Sequence, residues 1–150
     1  SLQKFPFKYF IVGKGKEEET LQQLVQHYGL QKNVIFLGYR KDIPDLLCAA
    51  DALSLSSLRE GLPRCMLEAM CFKLPIIASN IRGCNDLLED GAGILVEPHD
   101  VNDWEDALVS LLSPEERLKM GEQGYALVTN EYSLKSVIDS VISVYKKDSL

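Results

Sequence analysis

The 150 residues hold no apolar run near the roughly 18 to 20 that a bilayer-crossing helix needs, and Ser1 to Phe5 do not read as a signal peptide. These absences predict a cytoplasmic chain. Positive charge is also short: acidic residues outnumber basic ones 22 to 16, the net charge is −6, and the Lys and Arg residues are scattered. Nucleic-acid phosphates are gripped by grouped cations, so a nucleic-acid partner is not expected. Cysteine occurs four times, at Cys48, Cys65, Cys71 and Cys84, without a Cys-x-x-Cys spacing. That pattern argues against a disulfide framework or a zinc site and predicts reduced packing residues. Asp-x-Asp and His-x-x-x-His pairs are lacking as well, so no metal site is expected. His27 and His99 have no Ser or Cys nucleophile in a known arrangement and are expected at the surface.

What is present is a regular alternation. Apolar runs at 9–12, 34–37, 52–55, 76–78 and 94–96 are spaced by amphipathic stretches at 16–28, 43–50, 63–72, 84–89, 101–112, 114–129 and 134–146. Short continuous apolar strands between helices are what a parallel sheet covered on both faces requires. The predicted class is therefore α/β, a Rossmann-like doubly wound parallel sheet, and a chain of this length is expected to form one domain over 1–150. Asp42, Asn102 or Asp100, and Ser113 with Pro114 and Glu116 behind it, are expected helix caps, and Gly29 is expected to close a helix.

In open parallel sheets ligands bind beyond the carboxyl ends of the strands, which directs attention to four loops. The most informative runs Ser56-Ser57-Leu58-Arg59-Glu60-Gly61-Leu62-Pro63-Arg64-Cys65 and enters a helix. With Gly61 in an unusual backbone shape and Pro63 opening the helix, the amides of Arg64, Cys65 and Met66 form an expected phosphate site. Glu68, set among Met66, Leu67, Ala69 and Met70, reads as a buried carboxylate that needs ribose hydroxyls or an arginine, Arg82 or Arg40, as partner. Glu60 taken alone reads as a loop carboxylate of the kind that is usually solvated, and its spacing from Glu68 fits a glycosidase pair poorly. Gly13, Lys14 and Gly15 follow the first strand, but Glu18 stands where a dinucleotide fingerprint has its third glycine, so the loop is either an ordinary turn or a phosphate approach. The Tyr39, Arg40 and Ile43 loop offers a surface to a base edge or is simple packing. Arg82 is a phosphate partner or a surface charge.

Together these segments resemble the C-terminal, donor-binding domain of the retaining GT-B glycosyltransferases of family 4, or group 1. The resemblance rests on Glu60 and Glu68 inside Arg59-Glu60-Gly61-Leu62-Pro63-Arg64-Cys65-Met66-Leu67-Glu68-Ala69-Met70, with Ile11-Val12-Gly13-Lys14-Gly15, Val34-Ile35-Phe36-Leu37-Gly38-Tyr39, Leu74-Pro75-Ile76-Ile77-Ala78-Ser79 and Gly93-Ile94-Leu95-Val96 in family order. It implies that Glu60 is the catalytic carboxylate facing the donor sugar. Gly13, Lys14, Gly15, Gly61, Leu62, Pro63, Arg64 and Cys65 would then line sugar and diphosphate, while Tyr39, Arg40, Ile43 and Glu68 would hold the nucleoside. A nucleoside-diphosphate sugar, UDP-linked by preference, is the implied partner, used as substrate with no cofactor and no metal. The resemblance is greatest to enzymes that build capsular or exopolysaccharide chains from UDP-N-acetylhexosamines or related hexoses, working on the cytoplasmic side and touching membrane only through a lipid-linked acceptor. It also implies a separate N-terminal acceptor-binding domain and a first strand, Gly-Arg-Leu in the family, ahead of Ser1, without which this stretch is expected to be inactive alone. Lys14 departs from the acidic residue common at that place in the family.

Two rival functions fit part of the pattern. A nucleotide-sugar 2-epimerase shares the layout but needs acid and base groups placed for proton transfer. A non-catalytic nucleotide- or protein-binding module of similar build would use Glu68 only in an internal ion pair.

Overall fold

A computed structural model describes residues 7–147, with side chains described as far as residue 143. The chain divides into two compact units, Ser1–Ile43 and Pro44–Leu150. The expected α/β architecture is present in the form of parallel strands flanked by helices.

The first unit holds β1 (Tyr9–Val12), α1 (Glu18–His27) and β2 (Val34–Gly38). β1 and β2 pair in parallel, Tyr9 opposite Val34, with a shift of register between Ile11 and Val12 that sets Val12 against Gly38. Tyr9, Ile11, Val34, Ile35 and Phe36 are β-branched or aromatic residues that suit the half-buried pleat. α1 ends as expected at Gly29, whose φ of 67° lets the Leu30 amide turn back to the Val25 carbonyl at 2.9 Å. At the far end of the pair, the Asn33 side-chain amide donates to the Phe7 carbonyl at 3.1 Å.

The second unit contains α2 (Ile43–Ala49), β3 (Leu53–Leu55), α3 (Arg64–Cys71), β4 (Ile76–Ser79), α4 (Arg82–Leu88), β5 (Gly93–Val96), α5 (Val101–Ser110), α6 (Pro114–Asn130) and α7 (Leu134–Lys147). Its sheet has the order β3-β4-β5, all parallel, and the middle strand is buried from Ile76 through Ser79. A strand flanked by two others and covered on both faces has no solvent side, which is why its sequence is an unbroken apolar run rather than an alternation. Ile77 and Val96 form the core with Ala107 and Leu111 of the α5 segment, and Trp104, Leu108 and Met120 pack around them.

Helix ends follow local chemistry. The Asp100 carboxylate accepts from the Asn102 and Asp103 amides at 2.9 and 3.3 Å, and the Ser113 hydroxyl accepts from the Glu116 amide at 3.3 Å with Pro114 in the first turn. Close contacts depend on small residues. A Cβ at Gly93 would strike the Ile76 carbonyl, and one at Gly121 the Lys73 carbonyl, so β5 and α6 reach their places only because no side chain stands between. Lys73 itself, at φ 57°, turns the chain out of α3, while its ammonium pairs with Glu122 at 2.8 Å and lies 5.0 Å from the Tyr125 ring centre.

Candidate functional site

The loop from Ser56 to Pro63 leaves the carboxyl end of β3 and enters α3, the position where a parallel sheet presents ligand-binding groups. Glu60 is half-buried there, and the Ser57 hydroxyl donates to its Oε1 at 2.7 Å. Ser57 was not among the residues expected from sequence. The Ser-x-x-Glu spacing was the available signal, although in sequence it points to a helix cap, and no helix starts at Ser57.

α3 begins one residue later than expected: Pro63 is buried and occupies the cap position with φ −72°, and no side chain caps the helix. The Met66 amide is not open to a ligand as expected, because it donates to the Pro63 carbonyl at 3.0 Å. The amides of Arg64 and Cys65 are left at the uncapped end, where helix amides concentrate partial positive charge. The Arg64 side chain is exposed, as is Leu62.

Two expectations for this loop are corrected. Gly61 is not in the left-handed region, and a Cβ there would meet nothing within 4 Å. The crowding lies on the opposite side of the contact, at Gly83 of α4, where an added Cβ would stand 2.5 Å from the Gly61 carbonyl oxygen and 2.6 Å from that of Glu60. Glu68 is exposed, not buried. The buried stripe of α3 is Met66, Ala69 and Met70, at the i, i+3, i+4 spacing of one helix face, and position 68 falls outside it. The flanking apolar residues Cys71 and Phe72 are exposed too, so an apolar run did not mean enclosure on both faces. Among the described residues Glu68 has no ion pair with Arg82, which is itself exposed.

The cysteines divide. Cys84 is buried and Cys65 half-buried, as packing residues should be, whereas Cys48 and Cys71 are exposed, contrary to expectation. Burial, reinforced by the charge of Glu60, raises the Cys65 thiol above its ordinary value. Cys84 is pushed up to about 11 by burial first, then by Glu60 and Cys65. Both are held as neutral thiols near pH 7, unsuited to nucleophilic work. Because Cys84 keeps its proton in the folded state above the value at which the unfolded thiol loses it, folding is favoured below that value and weakens as pH rises toward 11. Cys84→Ala is expected to flatten the fall in unfolding free energy between about pH 9 and 11, measured by denaturant titration at each pH.

The remaining candidates lie in the first unit. Gly13, at φ 117°, joins β1 to its loop and donates its amide to the Gly38 carbonyl at 2.8 Å, a geometry that a side chain would strain. The aliphatic end of Lys14 lies beside Gly38. Val12, Gly13, Lys14, Gly15, Glu17 and Phe36 line a groove of about 210 Å³ in this unit. After β2, Tyr39 is 70% exposed, and Ile43, the first residue of α2, is half-buried. Arg40 is not a free cation: its guanidinium grips Asp42 through two hydrogen bonds, with Nε to Oδ1 at 2.8 Å, and this holds the Asp42 carboxyl below its usual range. His27 and His99 are exposed as expected. Among the described residues no group of three His, Cys, Asp or Glu side chains gathers as a metal site would require, and no helix is long and apolar enough to cross a membrane.

Comparison with known proteins adds an independent finding. The sequence profile described as glycosyl transferases group 1 matches residues 2–127. A UDP-Gal:alpha-D-GlcNAc-diphosphoundecaprenol alpha-1,3-galactosyltransferase from Escherichia coli is 33% identical over 91% of this chain and 36% of its own length. An alpha-D-kanosaminyltransferase from Streptomyces kanamyceticus is 31% identical over 95% of this chain and 38% of its own length. The chain thus spans little more than a third of these relatives. The crystal structure of Anabaena HepE in complex with UDP superposes with a TM-score of 0.85 and 23% identity, over 97% of this chain and 43% of that one.

Proposed function

Because the chain belongs to the group 1 glycosyl transferases, we propose that it is the donor-binding domain of a retaining glycosyltransferase, taking a nucleoside-diphosphate sugar, UDP-linked by preference. The observation that carries the proposal is the half-buried Glu60, held by Ser57 in the loop that feeds the uncapped amino end of α3. A carboxylate beside a helix amino terminus supplies both groups that glycosyl transfer uses. As the bond between the anomeric carbon and the diphosphate lengthens, positive charge grows on the sugar and negative charge on the leaving oxygens. The Arg64 and Cys65 amides and the Arg64 guanidinium stabilise the departing diphosphate, and Glu60 faces the sugar. Charge developed on the diphosphate is thereby met by fixed protein groups, so the proposed reaction needs no metal ion.

Glu68, exposed on α3, is assigned to the ribose hydroxyls, and Tyr39, with Arg40 and Ile43 after it, to the base. Gly13, Lys14 and Gly15 are assigned to sugar or phosphate. The acceptor is the business of a second, N-terminal domain in this proposal, and synthesis of a cell-surface polysaccharide on the cytoplasmic face of a membrane is the setting that suits it. The donor preference draws on two relatives: the name of the E. coli enzyme specifies UDP-Gal, and HepE has also been crystallised with UDP-glucose.

Titration of the intact enzyme with UDP, GDP and ADP tests the donor assignment. UDP is expected to raise the melting temperature most, since a ligand at about 100 times its Kd stabilises by roughly 2.7 kcal/mol. A folded enzyme that binds none of the three would refute the proposal, and preference for GDP or ADP would refute the choice of base.

A further inference from the structure

We propose that Ser57 and Gly83 are positioning residues for Glu60: the Ser57 hydroxyl aims its carboxylate, and the bare Cα of Gly83 gives the Glu60–Gly61 peptide a seat against α4. The inference rests on the reading of Glu60 as the carboxylate that faces the donor sugar.

The loop from Ser56 to Pro63 has no helix or strand of its own, so its shape must be set by what it touches. Two contacts do this from opposite sides. Within the loop, Ser57 Oγ donates to Glu60 Oε1 at 2.7 Å. That bond occupies one lone pair of one carboxylate oxygen and removes much of the freedom of a long side chain. Across the loop, α4 comes so close that a Cβ on Gly83 would lie 2.5 Å from the Gly61 oxygen, 2.6 Å from the Glu60 oxygen and 2.9 Å from the Glu60 carbonyl carbon. Separations of that size are backbone collisions, and one partner must move.

α4 is not the partner that yields. The segment before it is tied to β5 by the Asn80 amide, which donates to the Val96 carbonyl at 2.7 Å, and by the Asn80 side chain, which donates to Glu97 Oε1 at 2.8 Å. Its first turn is closed on the Ile81 carbonyl by the amides of Cys84 and Asn85 at 2.9 and 3.0 Å. Behind it Cys84, Leu87 and Leu88 are buried. The loop, with Gly61 and Leu62 exposed, is the softer side.

The backbone of Gly83 is outside the left-handed region, so alanine fits its conformation, and alanine is the better helix former. Gly83→Ala therefore strains no dihedral of α4, but its methyl group must push the Glu60–Gly61 peptide aside, so a lower melting temperature is expected beside the lower kcat, and Ser57→Ala, which adds no atom, separates positioning from stability. Displacing a reacting group by about 1 Å can cost on the order of a hundredfold in rate.

The test compares Ser57→Ala, Ser57→Thr, Gly83→Ala, Glu60→Gln and the Ser57→Ala/Glu60→Gln double variant in the intact enzyme, reading kcat, donor KM, UDP affinity and melting temperature. Ser57→Ala and Gly83→Ala are each expected to lower kcat about tenfold or more with UDP affinity held within about twofold, and Ser57→Thr to recover most of the loss. In the Glu60→Gln background, Ser57→Ala should cost nothing further, since its effect passes through the carboxylate. Near-normal kcat in both single variants beside a crippled Glu60→Gln would overturn the positioning inference and leave the role of Glu60 standing, as would a fully additive double variant. Normal turnover in Glu60→Gln brings down the role of Glu60 itself, and positioning with it.

Discussion

Glu60→Gln in the intact transferase is expected to lower kcat by about 100- to 1,000-fold, the loss typical of removing one preorganised group that stabilises transition-state charge. Glutamine keeps the size of the side chain and can still accept from Ser57, so the loop geometry should survive and only the negative charge is lost. Since Glu60 is assigned to the sugar and not to the nucleotide, the affinity for UDP should stay within about twofold. The effect should then appear in kcat rather than in the dissociation constant of the product nucleotide. Single-turnover rates with saturating donor, set beside a calorimetric titration with UDP, check both halves of the expectation. Turnover near the wild-type rate would remove Glu60 from the chemistry.

Glu68→Ala should act in the opposite way, weakening UDP binding by about 1 to 3 kcal/mol, the usual worth of a charged hydrogen-bond partner, with a much smaller change in the rate at saturating donor. The structure shapes this expectation. Glu68 is exposed on α3 and has no ion pair with Arg82, so removing it breaks no described ion pair, and the melting temperature without ligand should hardly change. A carboxylate serving only an internal pair would give the reverse result, lower stability with unchanged affinity. The two variants together therefore separate the sugar end of the proposed donor from its nucleoside end.

The order of the elements was legible because it rests on local rules. β4 could be read as buried from Ile76-Ile77-Ala78 alone, since such a run between two helices leaves no polar face for solvent. The cap at Ser113 was visible in the residue types, because an N-cap side chain reaches an amide only two or three positions away, whereas the choice of Asp100 over Asn102 was made by the fold, and Asp42, also a candidate cap, accepts from Arg40. In the candidate site, Glu60, Pro63, Arg64 and Cys65 were legible as a loop entering a helix beyond a strand end. Arg40 was not legible as the partner of Asp42: an arginine two residues from an aspartate pairs with it only when the loop bends them together.

Sequence by itself determined the alternation of strand and helix, the closing of α1 at Gly29, the capped start of α6, and membership of the group 1 glycosyl transferases. Each depends on spacing along the chain or on motifs in fixed order. Tertiary structure decided which face of α3 is covered, and so that Glu68 is exposed; it decided that Cys84 is buried while Cys48 and Cys71 face solvent. It also decided that the glycine required at the Glu60 loop is Gly83 and not Gly61, because close approach is a property of two backbones brought together from distant parts of the sequence. Burial and contact are set by the neighbour that packing supplies, and no residue carries the identity of that neighbour within its own local sequence.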